Sequence, residues 1–300
     1  MSVQGRSIRL FLVDGSPHGL LTAEIVNWTG HVLTAPRSRL ADLVKRPECG
    51  RTGVYFLVGP DPDNSSRPKV YIGESDNVAV RLKQHNRPEG EGGKDFWEKV
   101  CLVTSKDQNL TKAHIKYLEC QLMAMAKGSG RCSLVNGTNH QYEGLPEADL
   151  ADMAFFIDQI QTLLPALGHD FLREPNTKVL QQSNPDALPQ FELKVAKHKI
   201  RAKAQEHDGE FVVQAGSITK AEDRSQTGYN NLWMSLVDSG VIQLCGDGTA
   251  KFTKDYAFSS PSAAAAVVKG YNSNGRKDWV LANGGQNYGD WQQQQLESAE

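Results

Sequence analysis

The stretch GVYFLVGPDPDNSSRPKVYIG, residues 53–73, decides the fold of the first half of the chain. Its ends, residues 53–58 and 69–72, are short apolar runs that predict two β-strands. Between them nearly every residue is Gly, Pro, Asp, Asn or Ser, the types that favour turns. The stretch therefore predicts a β-hairpin in which Tyr55 and Tyr71 project to the same end of a sheet.

Patterns that predict helices and one more strand follow the hairpin. A helix carries Arg81 and His85, which lie four residues apart and therefore share one face. Residues 98–104 predict a third strand, and a later helix carries Glu119 beside its apolar stripe. A carboxylate there is costly unless it is paired, hydrogen-bonded or bound to a cation. Together these patterns predict an α+β fold with a small three-stranded antiparallel sheet flanked by helices.

Changes in composition divide the chain into five parts. Three prolines among polar residues near position 180 predict a linker, and strand-like alternation resumes after it. A run of glutamines near the end predicts disorder. The predicted parts are an N-terminal hairpin and helix (1–50), a first domain (51–172), the linker (173–190), a second small α+β domain (191–285) and a disordered tail (286–300).

Composition and charge restrict the function classes. The net charge of −2 argues against binding nucleic acid over the whole surface, but it permits a small basic cleft. Five cysteines are scattered without a CxxC pair, which supports neither a zinc knuckle nor a disulfide framework. No apolar run approaches the roughly 20 residues of a membrane helix, and the first residues show no signal peptide. We therefore expect a cytoplasmic protein with no membrane partner.

The order and context of the hairpin and helix residues resemble the GIY-YIG nuclease superfamily, which includes repair, homing and restriction enzymes. The resemblance runs from about Gly53 to Gly144. It rests on the tripeptides Gly-Val-Tyr and Tyr-Ile-Gly, followed by Arg81, Glu119 and Asn136. It implies a Mg²⁺-dependent endonuclease that hydrolyses DNA phosphodiester bonds, with Mn²⁺ as an alternative ion.

One position departs from the family pattern. Many members carry Lys directly after the second tripeptide, whereas this chain has Glu74. His85 resembles the imidazole that replaces this lysine in the His-containing members. The implied activity requires His85 to reach the site.

The resemblance also implies a role for each residue, although which tyrosine acts as the base stays open. Such chemistry needs a proton acceptor, an in-line water and relief of the charge that grows on the phosphate. The implied roles are Tyr55 as general base with His85 behind it, Tyr71 positioning water or phosphate, Arg81 clamping the phosphate, Glu119 holding the single metal ion, and Asn136 tying its loop to the site.

Basic and aromatic residues around these motifs predict a surface for the substrate. Lysines offer contacts to phosphates, and a tryptophan can stack on a base. The alternative is a solvated rim with the tryptophan in the core. The predicted substrate-binding residues are Gly73, Lys94, Trp97, Lys112 and Lys116.

The second domain carries the stretches 211–217 and 258–266, with Asn274-Gly275 before Trp279. These stretches resemble an uncharacterised small α+β domain that often follows such nucleases in bacteria. The basic residues of the second domain from Lys194 to Lys203 occupy alternating positions and could lie on one sheet face. That face either engages DNA or is an ordinary solvated strand face.

Two other functions stay open. The chain could bind nucleic acid on a nuclease scaffold without cutting it, which Glu74 and the weak net charge favour. It could also be the interaction subunit of a restriction-modification or defence assembly. Because one centre cuts one strand per visit, double-strand cleavage would need two visits or two chains, for example a homodimer.

Overall fold

The protein is described by a computed structural model, which covers residues 5–62, 67–137, 142, 144–173, 189–207, 209–225 and 228–298. The chain forms two compact units, residues 1–173 and 174–300, and the predicted α+β class is confirmed. The predicted linker, residues 173–190, lies almost entirely outside the described residues. None of the helices in the described ranges is long and apolar enough to cross a bilayer.

The residues of the first unit that the structure describes form one sheet and four α-helices. Its strands are β1 (Ile8–Leu12), β2 (Leu21–Ile25), β3 (Gly30–Pro36), β4 (Gly53–Pro60), β5 (Pro68–Ser75), β6 (Lys99–Ser105) and β7 (Ser133–Leu134). Its α-helices are α1 (Leu40–Leu43), α2 (Val78–His85), α3 (Lys112–Ser129) and α4 (Glu147–Ala166).

The sheet is larger than the three strands that the sequence predicts. Its order is β1-β2-β3-β6-β4-β5-β7, antiparallel except for the parallel pair β5–β7. The predicted strands β6, β4 and β5 are adjacent at its centre, and β3 continues the ladder from Gly30 opposite Ser105 to Pro36 opposite Lys99. Strands β1, β2 and β3, which lie within the predicted N-terminal part (residues 1–50), are therefore part of this sheet. The physical reason is that β6 would otherwise expose an unpaired edge.

Strand alternation gives the sheet two packed faces. On β4, Val54 and Phe56 point toward α3 and α4 and belong to the larger apolar core. Tyr55 and Leu57 point to the opposite face, where Leu82 of α2 shares their core. The tyrosines of the candidate site project from this second face.

The described residues of the second unit form one sheet of eight strands and four helices. The strand order is β12-β13-β11-β9-β10-β14, and β8 joins β9 to β15. The strands are β8 (Gln190–Val195), β9 (Ile200–His207), β10 (Glu210–Val213), β11 (Ile218–Lys220), β12 (Ile242–Leu244), β13 (Thr249–Phe252), β14 (Tyr256–Phe258) and β15 (Val280–Leu281). The helices are α5 (Gly228–Asp238), α6 (Pro261–Lys269), α7 (Gly275–Asp278) and α8 (Tyr288–Glu297).

The prediction of a disordered tail at residues 286–300 is wrong, because helix α8 occupies most of it. The Asn287 side chain caps the helix by accepting the backbone N–H of Asp290 at 2.9 Å. Tyr288 is 4% exposed, and the ring of Trp291 lies 5.3 Å from that of Phe191. These two aromatic side chains anchor the helix to the core in spite of the glutamine run that follows.

Candidate active site

The two tyrosines meet because of the register of the β4–β5 hairpin. Tyr55 lies opposite Gly73, and Tyr71 lies opposite Leu57, so both rings project from the same face with centroids 6.3 Å apart. A Cβ on Gly73 would come within 2.5 Å of Cζ of Tyr55. Gly73, which the sequence assigns to substrate binding, makes room for the Tyr55 ring.

His85 reaches the site, as the resemblance requires. It is the last residue of α2, and its Nε2 lies 2.8 Å from the hydroxyl of Tyr55. The side chain is buried, and its Nδ1 has no hydrogen-bond partner among the described residues. Burial, with help from the charges of Arg81 and Lys94, lowers the pKa of His85 to about 4. The imidazole is therefore neutral at pH 7 and can accept a proton.

Arg81 acts on both phenols. Burial raises the pKa of Tyr55 and of Tyr71, and Arg81 opposes this rise through its charge and through hydrogen bonding. Its Nη1 also donates a hydrogen bond to Oε1 of Gln84 at 2.7 Å, which orients the guanidinium. Sequence reasoning missed Gln84, although its position three residues after Arg81 on a helix was a usable signal.

Glu119 supplies the carboxylate of the site from α3. Burial and the nearby charge of Glu74 raise its pKa to about 7. The backbone N–H of Glu74 and the charges of Lys112 and Arg81 favour its ionised form. Glu119 is thus a half-buried carboxylate near Arg81, and its pKa lies close to neutral pH.

Glu74, the residue directly after the second tripeptide, has a cationic partner in the structure. Nζ of Lys112 lies 2.6 Å from Oε2 of Glu74 and 3.3 Å from Oδ2 of Asp76. A cation therefore lies beside the second tripeptide, but it comes from α3. Lys112 is a predicted substrate contact, and in this structure it forms ion pairs with these two carboxylates.

Asn136 ties its loop to β5. Its Oδ1 accepts the backbone N–H of Ile72 at 2.9 Å, and its Nδ2 donates to the carbonyl of Ile72 at 2.6 Å. The backbone N–H of Val135 donates to the carbonyl of Val70 at 2.8 Å. The Asn136 side chain thus extends the β5–β7 ladder by one step and holds the strand that carries Tyr71.

The remaining predicted substrate-binding residues differ in how accessible their side chains are. Nζ of Lys94 lies 4.4 Å from the centroid of the Tyr71 ring, so Lys94 borders the site. Lys116 is exposed on α3. The prediction that Trp97 stacks on substrate is wrong, because its side chain is 1% exposed in the core and lies under the guanidinium of Arg37.

The basic stretch of the second unit is partly neutralised. Lys194 lies opposite Arg201 in the β8–β9 ladder, and Lys203 lies opposite Glu192. Glu192 forms an ion pair with Lys194 and a second, at 3.6 Å, with Arg201. This arrangement is typical of a solvated strand face, the alternative to a face that engages DNA.

The donor set of the first unit decides which cation the site can hold. Among the described residues, no group of three or more His, Cys, Asp or Glu side chains could hold a metal ion. Mg²⁺ needs no such group, since it is commonly bound through one or two carboxylates, several waters and substrate phosphates. A half-buried Glu119 carboxylate near Arg81 fits this mode.

The comparison with known families concerns the second unit. Residues 191–292 match a family model described as "Domain of unknown function (DUF4357)". This match covers about a third of the chain and includes α8 up to residue 292. No curated protein and no solved structure shows significant similarity to the chain.

Proposed function

We propose that the first unit is a Mg²⁺-dependent endonuclease that hydrolyses phosphodiester bonds in DNA, working in the cytoplasm. The 2.8 Å contact between the Tyr55 hydroxyl and Nε2 of His85 carries this proposal. A neutral imidazole behind a phenol forms a path for a proton, and Arg81 and Glu119 act electrostatically on that phenol. This combination suits a reaction that removes a proton beside a phosphate.

The proton path runs from the attacking water to Tyr55 and from Tyr55 to His85. Because burial raises the pKa of Tyr55 and lowers that of His85, a free phenolate beside an imidazolium is costly. A relay in which Tyr55 accepts the proton of water while it donates its own avoids this ion pair. Acceptance at Nε2 requires the tautomer of His85 that carries its proton on Nδ1.

The phosphate is bound by the cationic side of the site. The planar guanidinium of Arg81 can form two parallel hydrogen bonds with phosphate oxygens. Lys94, at the open face of Tyr71, adds a second cation. Glu119 would hold Mg²⁺, and a bound Mg²⁺ would supply Lewis-acid stabilisation of the charge on the leaving oxygen.

Conversion of supercoiled plasmid to nicked or linear DNA in Mg²⁺ tests the proposal. We expect cleavage by the full chain, no cleavage in EDTA, and near-complete loss with Arg81→Ala or Glu119→Ala. Lys83→Ala, an exposed cation on the same helix as Arg81, is the matched control and retains activity. Cleavage that survives both site substitutions would overturn the proposal.

One observation favours a second candidate, a nucleic-acid-binding protein that does not cut. Tyr55 has no exposed surface in this structure, so its phenol does not meet solvent water. Such a protein would retain DNA binding in EDTA and give no product in Mg²⁺. A mobility-shift assay beside the cleavage assay separates the two candidates, since the nuclease gives product and the binding protein gives only a shift.

A further inference from the structure

Strand β1 is an exposed apolar edge. It lies at one end of the seven-stranded sheet and, within the described residues, pairs only with β2. Leu10 is 50% exposed, Phe11 60% and Leu12 40%. An open edge with large apolar side chains is a template for another strand, and natural proteins usually block it with charges, prolines or a covering element. The one charged residue of β1, Arg9, is paired with Glu24 at 3.0 Å.

The hydrogen bonds to β2 show which backbone groups of this edge are free to pair. The N–H of Val13 donates to the carbonyl of Leu20 at 2.9 Å, directly after the last ladder pair, Leu12 with Leu21. In an antiparallel ladder, successive residues alternate between bonding to one neighbour and facing the other. The N–H and C=O groups of Ile8 and Leu10 and the N–H of Leu12 therefore face outward, whereas the carbonyl of Leu12 accepts the N–H of Gly15 at 3.2 Å.

We propose that a second copy of this chain occupies the edge, with its β1 antiparallel to the first and the two-fold axis at Leu10. In this register Leu10 lies opposite Leu10 of the other copy, and Ile8 lies opposite Leu12. Leu10 then exchanges both of its outward backbone hydrogen bonds with Leu10 of the other copy, and the N–H of Leu12 donates to the carbonyl of Ile8 of the other copy. The interface is self-complementary, as a two-fold interface must be.

The side chains agree with the same register. Ile8, Leu10 and Leu12 share one face, so the two copies form a continuous apolar stripe across the junction. On the opposite face Arg9 lies opposite Phe11 of the other copy, a pair of cation and aromatic ring, and the two arginines do not meet. A strand of five residues buries little area, and we expect a dissociation constant in the range of roughly micromolar.

Sedimentation velocity of the full chain from about 0.5 to 50 µM, a range that spans roughly micromolar affinity, tests the proposal. We expect a monomer–dimer equilibrium that Leu10→Arg weakens at least tenfold, because it places two like charges on the axis. Leu10 is half-exposed, so the thermal unfolding midpoint should not change. Phe155→Arg, at a 57% exposed apolar site on α4, is the control and leaves the equilibrium unchanged. A monomer at all concentrations, or a dimer that Leu10→Arg does not weaken, overturns the proposal.

Cross-linking tests the register itself. Hydrogen-bonded antiparallel partners have Cα atoms about 5.5 Å apart, within the range of a disulfide. In a Cys245→Ser background, which removes the one exposed native cysteine, Leu10→Cys should form a cross-linked dimer under mild oxidation. Phe11→Cys should not, since residue 11 lies opposite residue 9. Equal cross-linking of the two variants contradicts the register.

Discussion

The hydroxyl of Tyr55 and Nε2 of His85 lie 2.8 Å apart, both on buried side chains, and burial raises the pKa of the phenol while it lowers that of the imidazole. If the two form one relay, Tyr55→Phe and His85→Ala should each reduce DNA cleavage by about 10²- to 10⁴-fold. Single-turnover cleavage of a labelled duplex measures the loss.

The double variant is the sharper measurement, because residues that act as a unit are not additive. We expect Tyr55→Phe with His85→Ala to be about as slow as the slower single variant. Losses that multiply would show that the two side chains act independently, and the relay would then be wrong.

Gly73 is predicted to be essential for the shape of the site. In Gly73→Ala, the new methyl group would overlap Cζ of Tyr55 at 2.5 Å and displace the ring from His85. We expect cleavage to be lost while circular dichroism stays that of the wild type. Gly50→Ala, where a Cβ has nothing within 4 Å, is the matched control. Equal activity of the two variants would contradict this packing role.

Asn136 is predicted to stabilise β5 through both of its side-chain hydrogen bonds. Asn136→Ala leaves the buried N–H and C=O of Ile72 without their partner, which should cost about 1–3 kcal/mol in the free energy of unfolding. Asn136→Asp keeps the acceptor but sets a carboxylate oxygen against the carbonyl of Ile72, so it should cost at least as much. Urea denaturation measures both, and an alanine variant as stable as the wild type would exclude the clamp.

The charges around Glu119 make a prediction with two opposite signs. Because the Glu74 carboxylate raises the pKa of Glu119, Glu74→Gln should lower it from about 7. Because the Lys112 ammonium lowers that pKa, Lys112→Met should raise it. NMR titration of the side-chain carboxyl carbons measures each shift, with Lys116→Met one turn along α3 as a control that should cause none. Shifts of the same sign in the first two variants would refute this electrostatic description.

His169 is predicted to make the first unit sensitive to acid. Burial and the nearby Lys99 lower its pKa from 6.5 to about 4. The unfolded chain therefore takes up the proton first as the pH falls below 6.5, and stability decreases from there toward pH 4. Between pH 7.5 and 5 this histidine should cost about 2 kcal/mol of unfolding free energy. Urea denaturation at both pH values should show a smaller loss for His169→Gln, whereas an unchanged loss would assign the sensitivity elsewhere.

The hairpin and its two following helices could be predicted from sequence because each signal is local. Turn residues separate β4 from β5, and the spacing of Arg81, His85 and Glu119 along helices predicts their faces. The α+β class in two units follows from the same patterns. Their convergence on one pocket, however, depends on the strand register, which opposes Tyr55 to Gly73 and which no local pattern specifies.

The errors have a common cause, since in each case a distant partner decided the outcome. Strand β3 forms because β6 offers it seven residues of ladder, although its own sequence is only weakly strand-like. Trp97 is buried because Arg37, sixty residues earlier, covers its ring. Helix α8 forms because Trp291 packs against Phe191. Local secondary-structure propensity carries no information about these long-range contacts.

The strand order has a consequence for how joined chains would meet a long duplex. From β1 to β5 the sheet spans five strand intervals, so two sheets joined at β1 separate their hairpins by eleven intervals. At about 4.8 Å per interval this path is on the order of 50 Å, comparable to roughly fifteen base-pair steps. If the first unit cleaves DNA as proposed, a pair of chains joined in this way would cut the two DNA strands far apart. The products would carry long single-stranded overhangs in place of blunt ends.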